Sequence, residues 1–256
     1  MAKGKVYAVG FGPGGHDHMT VKAVNVIKNA DIVTGYTTYV EMLKDIFPDK
    51  EYKSTPMKKE MDRCRMAVEL AEEGKTVAMV SSGDSGIYGM AGILLEIRNE
   101  MKADVEIETV PGVTAASAAA SVLGAPLMHD FTIISLSDLM TPYNLIMKRV
   151  DCAGQGDFIV CLYNPKSKKR IDYVEKAADI LMRYRDESTP VGVVRNAGRE
   201  DESHYITSLG ELKDAPIDMF SIVIIGNSNT YVKDGLMITP RGYQDKYGFA
   251  NFQIED

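Results

Sequence analysis

The run VYAVGFGPGG, Val6 to Gly15, decides the fold: an apolar stretch ends on a glycine corner. The arrangement recurs in VAMVSSGDSGIYG (Val77 to Gly89) and IETVPGVTAASAAA (Ile107 to Ala120). Each reads as a strand whose C-terminal end opens into a loop of small residues. Segments with helical periodicity lie between them, so strands and helices alternate as in a parallel sheet. The strand ends of such a sheet share one edge, and ligands bind at that edge. Glycine admits close approach to the backbone, where exposed N–H groups hold polar or anionic groups.

Gly10, Gly12 and Gly15 satisfy the dinucleotide fingerprint G-x-G-x-x-G, and Asp31 follows at a distance suited to a ribose-binding acid. Two details count against that reading. In a dinucleotide fold the helix begins inside the fingerprint, so that its amides meet the pyrophosphate. Here Pro13 and His16-Asp17-His18 intervene, and the best N-cap is Thr20, ahead of VKAVNVIKNA. Asp31 also opens the run DIVTGY, whereas a ribose acid belongs at the far end of that strand. A nicotinamide-dependent oxidoreductase is kept as the alternative from another enzyme class.

At 256 residues the chain holds one large domain or two small ones. Its net charge of −7 argues against a general nucleic-acid binder. Cys64, Cys152 and Cys161 are odd in number and form no C-x-x-C pair, which fits a reduced protein better than a disulfide scaffold. No clustered Cys/His set suggests a protein-held metal. The N-terminus enters a strand at once, and no apolar stretch approaches the roughly 20 residues of a membrane helix. A cytoplasmic protein without membrane contact is expected.

Strands are expected at 5–10, 31–35, 76–81 and 105–110, and helices at 20–29, 39–47, 59–73, 87–100 and 113–123. The turn-like GAPLMHD (Gly124–Asp130) marks a domain boundary, giving an N-terminal α/β domain over 1–123 and a C-terminal one over 124–242. The second half is expected to hold strands at 131–136, 157–162, 191–195, 203–207, 221–225 and 231–239, with helices at 143–150 and 168–185. Extended runs without a long helix between them predict a mixed sheet there. The polar tail 243–256 is expected to be loosely ordered.

VGFGPGG with a following Thr, SSGDSGIYG and VPGVTAASAAA, in this order, resemble the tetrapyrrole methylases. That family comprises S-adenosylmethionine-dependent methyltransferases of two α/β domains with the cofactor in the cleft between them. LYNPKSKKR (Leu162–Arg170) and VVRNAGRED (Val193–Asp201) resemble the branch that methylates carbon 17 of precorrin-3B or cobalt-factor III in cobalamin synthesis and contracts the ring. The resemblance implies that Gly83, Asp84 and Ile87 meet the cofactor's methionine part and ribose. Ser85 departs from the family pattern, where many members carry Pro. Thr114 and Ala115 match a Thr-Ala pair at a helix start, Tyr163 and Asn164 match positions that cup the adenine, and Asn196-Ala197 matches an Asn-Ala pair. The first corner, with Gly12, Pro13, Gly14 and His16, is implied to line the tetrapyrrole side. A homodimer is expected on the family's precedent.

A precorrin carries many carboxylates around a flat ring, so its trough needs cations. Lys166, Lys168, Lys169 and Arg170 form the densest cluster, with Arg195 and Arg199 at another expected strand end. Lys168 to Arg170 also read as a solvated first helical turn; a helix dipole disfavours cations there, which favours the substrate reading. Methyl transfer from a sulfonium needs alignment and exclusion of water more than acid–base help. Ring contraction does need proton transfers. His16, His18, Asp17 and Tyr163 are candidates without a ranking, and no catalytic residue is assigned. A sister methylase acting at another ring carbon, the related enzyme that methylates a modified histidine on a protein, and a non-catalytic S-adenosylmethionine sensor are the remaining alternatives.

Overall fold

Apolar residues without interruption, as in VYAV and VAMV, are what a strand needs when both of its faces are covered. The computed structural model describes residues 4–243; the tail expected to be loosely ordered lies, from residue 244 on, outside them. The first unit runs β1 (Lys5–Gly10), α1 (Val21–Asn29), β2 (Ile32–Tyr36), α2 (Thr37–Lys44), β3 (Glu51–Thr55), α3 (Glu60–Glu72), β4 (Thr76–Ser81), α4 (Ala91–Met101) and β5 (Glu106–Val110). The five strands form one sheet in the order β3-β2-β4-β1-β5, parallel throughout.

Side chains alternate across it. Val6, Ala8, Ile32, Val77 and Met79 face a core with Cys64 and Val68 of α3 and Leu94 and Ile97 of α4. Val9, Val33, Ala78 and Val80 face the other core, with Ala23 and Ile27 of α1 and Val40 and Leu43 of α2. Thr20 caps α1 as its sequence predicts, its hydroxyl accepting from the Ala23 N–H at 3.1 Å. Strand β3 was not expected. EYKST is polar because it is the outermost strand, paired to β2 alone. Helix α4 begins at Ala91 and not at Ile87, so Ile87 lies in the preceding loop.

The second unit runs α5 (Ala115–Leu123), β6 (Gly124–Ala125), β7 (Phe131–Ser135), α6 (Tyr143–Gln155), β8 (Ile159–Tyr163), α7 (Tyr173–Leu181), β9 (Pro190–Arg195), β10 (Ser203–Ser208), β11 (Ser221–Ile225), β12 (Tyr231–Lys233) and β13 (Leu236–Ile238). Its main sheet has the order β10-β9-β11-β8-β7. β7 and β8 are parallel and the other neighbours antiparallel, which is the mixed sheet expected. A small sheet, β12-β13-β6, lies apart from it.

The chain divides into the units Met1–Ala115 and Ala116–Asp256, which puts nearly all of α5 in the second. The sequence boundary at 123/124 stands eight residues later. Gly192 of β9 gives the physical reason for the difference: a side chain there would overlap Leu123 of α5, so glycine leaves the space that this leucine fills. The single strand expected over 231–239 is a hairpin, because Asp234 and Gly235 both take positive φ (53° and 76°) and reverse the chain. No helix among the described residues is long and apolar enough to cross a membrane.

Candidate functional site

Parallel pairing brings the ends of β4, β1 and β5, at Ser81, Gly10 and Val110, side by side. The corners beyond them hold one another. Phe11 N–H donates to the Ser81 carbonyl at 3.0 Å; Gly12 and Gly83 exchange N–H···O bonds of 3.0 and 2.8 Å. A Cβ on Gly10 would stand 2.7 Å from the Gly83 oxygen, and one on Gly112 would overlap the Gly83 and Gly10 carbonyls. These glycines therefore serve corner-to-corner packing before they serve any ligand.

Asp84 ties the arrangement together. One carboxylate oxygen accepts from the Gly86 N–H at 2.8 Å, the other from the Gly112 N–H at 3.0 Å. Ser85 is fully buried, its hydroxyl 3.0 Å from the Ala8 carbonyl and 3.3 Å from that of Val110. A hydroxyl thus locks this loop. Gly83 has φ +70°, which favours glycine, and a Cβ there would make only ordinary contacts, 3.8 Å from the Ala115 nitrogen and 3.9 Å from the Val113 oxygen. Ile87 is 37% exposed in the same loop.

In the first corner Gly12 has φ +83°, and Pro13 and Gly14 are buried. His16, Asp17 and His18 form an exposed single turn. Asp31 is used at the opposite edge of the sheet, where its carboxylate accepts the Thr76 N–H at 2.7 Å. That position keeps it away from the corners.

In the second unit β7, β8 and β9 run the same way, so Ser135, Tyr163 and Arg195 share an edge. The residues after β8 and β9, Asn164 and Asn196, both take φ of 51°. Asparagine tolerates that left-handed conformation better than most residues. Asn164 donates to the Ser135 hydroxyl at 3.0 Å, and Asn196 to Asp201 at 2.7 Å. The Tyr163 hydroxyl accepts the Ala116 N–H at the start of α5, at 2.9 Å, beside Thr114 and Ala115; Ala197 is buried.

The basic cluster separates. Helix α7 begins at Tyr173, so Lys168 to Arg170 are not a helical first turn and the dipole argument for them lapses. Ser167 and Arg170 instead exchange two backbone hydrogen bonds of 3.2 Å. Arg170 is 9% exposed and donates to the Leu136 carbonyl at 2.7 Å, which turns it away from solvent and makes it a brace for this loop. Lys166 is half-buried; Lys168 and Lys169 are exposed. Arg195 is held at 2.8 Å by Asp218 and at 3.2 Å by Asp201. The hydrogen bond that Arg195 donates to Asp218 raises the arginine's pKa, and Asp201 adds to it. Arg170→Ala should therefore destabilise the protein by about 2 kcal/mol, the scale of losing a buried charged hydrogen bond. Urea unfolding measures it, and an unchanged midpoint would contradict the bracing role.

The sequence profile of the tetrapyrrole (corrin/porphyrin) methylases matches residues 5–213. The chain belongs to this family. A probable cobalt-factor III C(17)-methyltransferase from Salmonella typhimurium is 52% identical over 235 residues, 92% of this chain and 98% of the relative. A cobalt-factor III methyltransferase from Priestia megaterium is 47% identical over 249 residues, 96% of this chain; the match spans 46% of that longer protein. Among solved structures, the methyltransferase CobJ superposes with a TM-score of 0.83 at 33% identity, covering 94% of this chain and all of CobJ. The α/β fold in two units is thus that of the tetrapyrrole methylases, and the chain is a methyltransferase.

Sequence reasoning passed over one group in this tetrapyrrole methylase. Arg63, on α3, is 3% exposed and lies beside a cavity at the same sheet edge as the corners. Its signal was present: Arg63, Ala67, Leu70 and Ala71 share one helical face, and all four are buried. A charge on an apolar stripe needs a reason.

Proposed function

We propose that this tetrapyrrole methylase transfers a methyl group to carbon 17 of a precorrin-3 type tetrapyrrole, with ring contraction, in cobalamin biosynthesis. The observation that carries the reading is the 52% identity to a probable cobalt-factor III C(17)-methyltransferase over 98% of its length. On that ground cobalt-factor III is the first substrate to test and precorrin-3B the second.

S-adenosylmethionine supplies an activated methyl group whose thioether leaves readily. The first unit fits its polar end. Gly83 makes a left-handed turn, Ile87 offers an exposed apolar surface, and Asp84 keeps further lone pairs beyond its two backbone bonds. An ammonium or a ribose hydroxyl donates well to such a carboxylate. Thr114 and Ala115, with Tyr163, Asn164, Asn196 and Ala197 of the second unit, complete the proposed cofactor set. Gly12, Pro13, Gly14, His16, Lys166 and Arg195 are proposed to meet the tetrapyrrole; Arg170 leaves that set and acts through the loop it braces. The protein's task is to align the carbon nucleophile and exclude water. No residue is assigned to the proton transfers of ring contraction.

Calorimetry tests the cofactor: S-adenosylhomocysteine should bind with Kd on the order of micromolar, about 8 kcal/mol. NAD(H) binding of equal strength would overturn the reading. Incubation with cobalt-factor III and with precorrin-3B, each with S-adenosylmethionine, tests the reaction, and methylation of neither would refute it. We further propose a cytoplasmic homodimer; light scattering at the mass of one chain would contradict the dimer.

A further inference from the structure

A cavity of 260 Å³ opens at the edge of the first sheet, beside the second corner. Its wall includes Tyr36, Arg63, Ser81, Met57, Met90 and Glu60. Arg63 is almost wholly buried. Its Nε donates to the Thr55 hydroxyl at 2.9 Å, and Nη2 donates to the carbonyls of Thr55 and Pro56, both at 3.3 Å. For Nη1 the only hydrogen-bond partner among the described residues is the Met90 sulfur, at 3.8 Å, and the guanidinium carbon lies 5.9 Å from the centre of the Tyr36 ring. Burial pulls the arginine's pKa below its ordinary value, and the charge of Glu60 works against that shift. Yet no carboxylate of the described residues comes within 4 Å of the guanidinium. Buried charges are ordinarily paired, so the arrangement lacks an anion.

Ser81 gives an independent observation. It is 4% exposed, lines the same cavity, and its hydroxyl has no hydrogen-bond partner among the described residues. An orphaned buried hydroxyl costs free energy unless something meets it. Two donors, one charged, thus converge on one space whose remaining wall is largely thioether, aromatic ring and aliphatic side chain.

We infer that this cavity receives one carboxylate-bearing side arm of the tetrapyrrole, with Arg63 and Ser81 donating to the carboxylate and Met57, Met90 and Tyr36 covering the methylenes. Size favours an arm over a whole ligand. The volume falls below the range of about 300–1,000 Å³ in which drug-sized molecules bind, which suits one arm better than a whole macrocycle. Glu60 also lines the wall and opposes any anion there, so the buried guanidinium has to outweigh its charge. This inference rests on the function proposed above and adds a residue that selects the substrate's orientation.

Steady-state kinetics with cobalt-factor III tests it, using Arg63→Met, Arg63→Lys and Ser81→Ala. Arg63→Met should raise KM by about 30-fold, Ser81→Ala by about fivefold, and Arg63→Lys should recover part of the loss. S-adenosylhomocysteine affinity should stay within about twofold of wild type in all three, since no cofactor group enters the cavity. If Arg63→Met fails to fold, Ser81→Ala decides alone, because it removes an unpaired hydroxyl and leaves no new one. An unchanged KM in Ser81→Ala overturns the inference. So does a parallel fall in S-adenosylhomocysteine affinity, which would assign the cavity to the cofactor. Should wild type methylate neither tetrapyrrole, the inference falls together with the function. Should wild type turn over while the variants match it, only the inference falls.

Discussion

Gly112→Ala should destabilise the protein by about 3 kcal/mol and abolish measurable S-adenosylhomocysteine binding, although it adds a single methyl group. The reason is where that methyl group would go. It would overlap the Gly83 carbonyl and stand 2.6 Å from the Gly10 oxygen, both backbone atoms. Neither corner is free to retreat, since Gly83 is hydrogen-bonded to Gly12 and Gly10 ends a central strand. Relief would have to come from pulling the third corner off the first two, which breaks the Gly112 bond to Asp84. Gly92→Ala is the natural comparison: it lies in α4 with nothing within 4 Å of the added carbon. There the same change should stabilise by about 0.5–1 kcal/mol, through helix propensity and a less flexible unfolded chain. Urea unfolding of both variants measures the contrast. A loss below about 1 kcal/mol in Gly112→Ala, with binding intact, would show that the corners yield independently.

This packing also explains how much of the molecule was legible. The central strands could be read because burial on two faces demands unbroken apolar runs, and VYAV and VAMV contain nothing else. β3 could not, since an outermost strand carries residues such as Glu51, Lys53 and Ser54 that suit a surface loop equally well. Lys168 to Arg170 were misread because the helical pattern of α7 extends backwards on paper. What stops it is tertiary: the Ser167–Arg170 backbone pair and a guanidinium drawn to Leu136, 34 residues away in sequence. A window of local sequence carries no trace of that carbonyl. The hairpin of β12 and β13 was written in Asp234-Gly235, a turn signal that an unbroken strand overrode.

The site was legible in kind and not in detail. A glycine that makes room for a ligand and one that makes room for another loop look the same in a sequence, because each only requires that Cβ be missing. The structure separates them: Gly10 and Gly112 have carbonyls where a side chain would stand, while a Cβ at Gly83 would meet only ordinary contacts and glycine is favoured there by a φ of +70°. The same ambiguity hid Arg63. On the surface of α3 it would be one charge among many, and only its register with Ala67 and Ala71 sets it apart.

Asp84→Ala should lower both stability and cofactor affinity, each by about 2 kcal/mol, so that binding weakens roughly 30-fold. Two effects combine. The carboxylate stitches the second corner to the third through Gly86 and Gly112, and the proposed ammonium or ribose contact uses its remaining lone pairs. Asp84→Asn tells these apart. An amide retains one acceptor oxygen but presents its NH2 to a backbone N–H, so one of the two stitches must be lost. If stitching dominates, Asn should be nearly as damaging to stability as Ala. If the carboxylate acted on the cofactor alone, both variants would unfold at the wild-type urea concentration while affinity fell. If it acted on the loops alone, Asp84→Asn with S-adenosylmethionine in large excess would regain full methyl transfer. The expected result lies between these limits: a lowered unfolding midpoint for both variants, and turnover that excess cofactor restores only in part. The corner then has one residue performing two tasks, because the oxygens that hold its loops together are also the groups a cationic ligand meets.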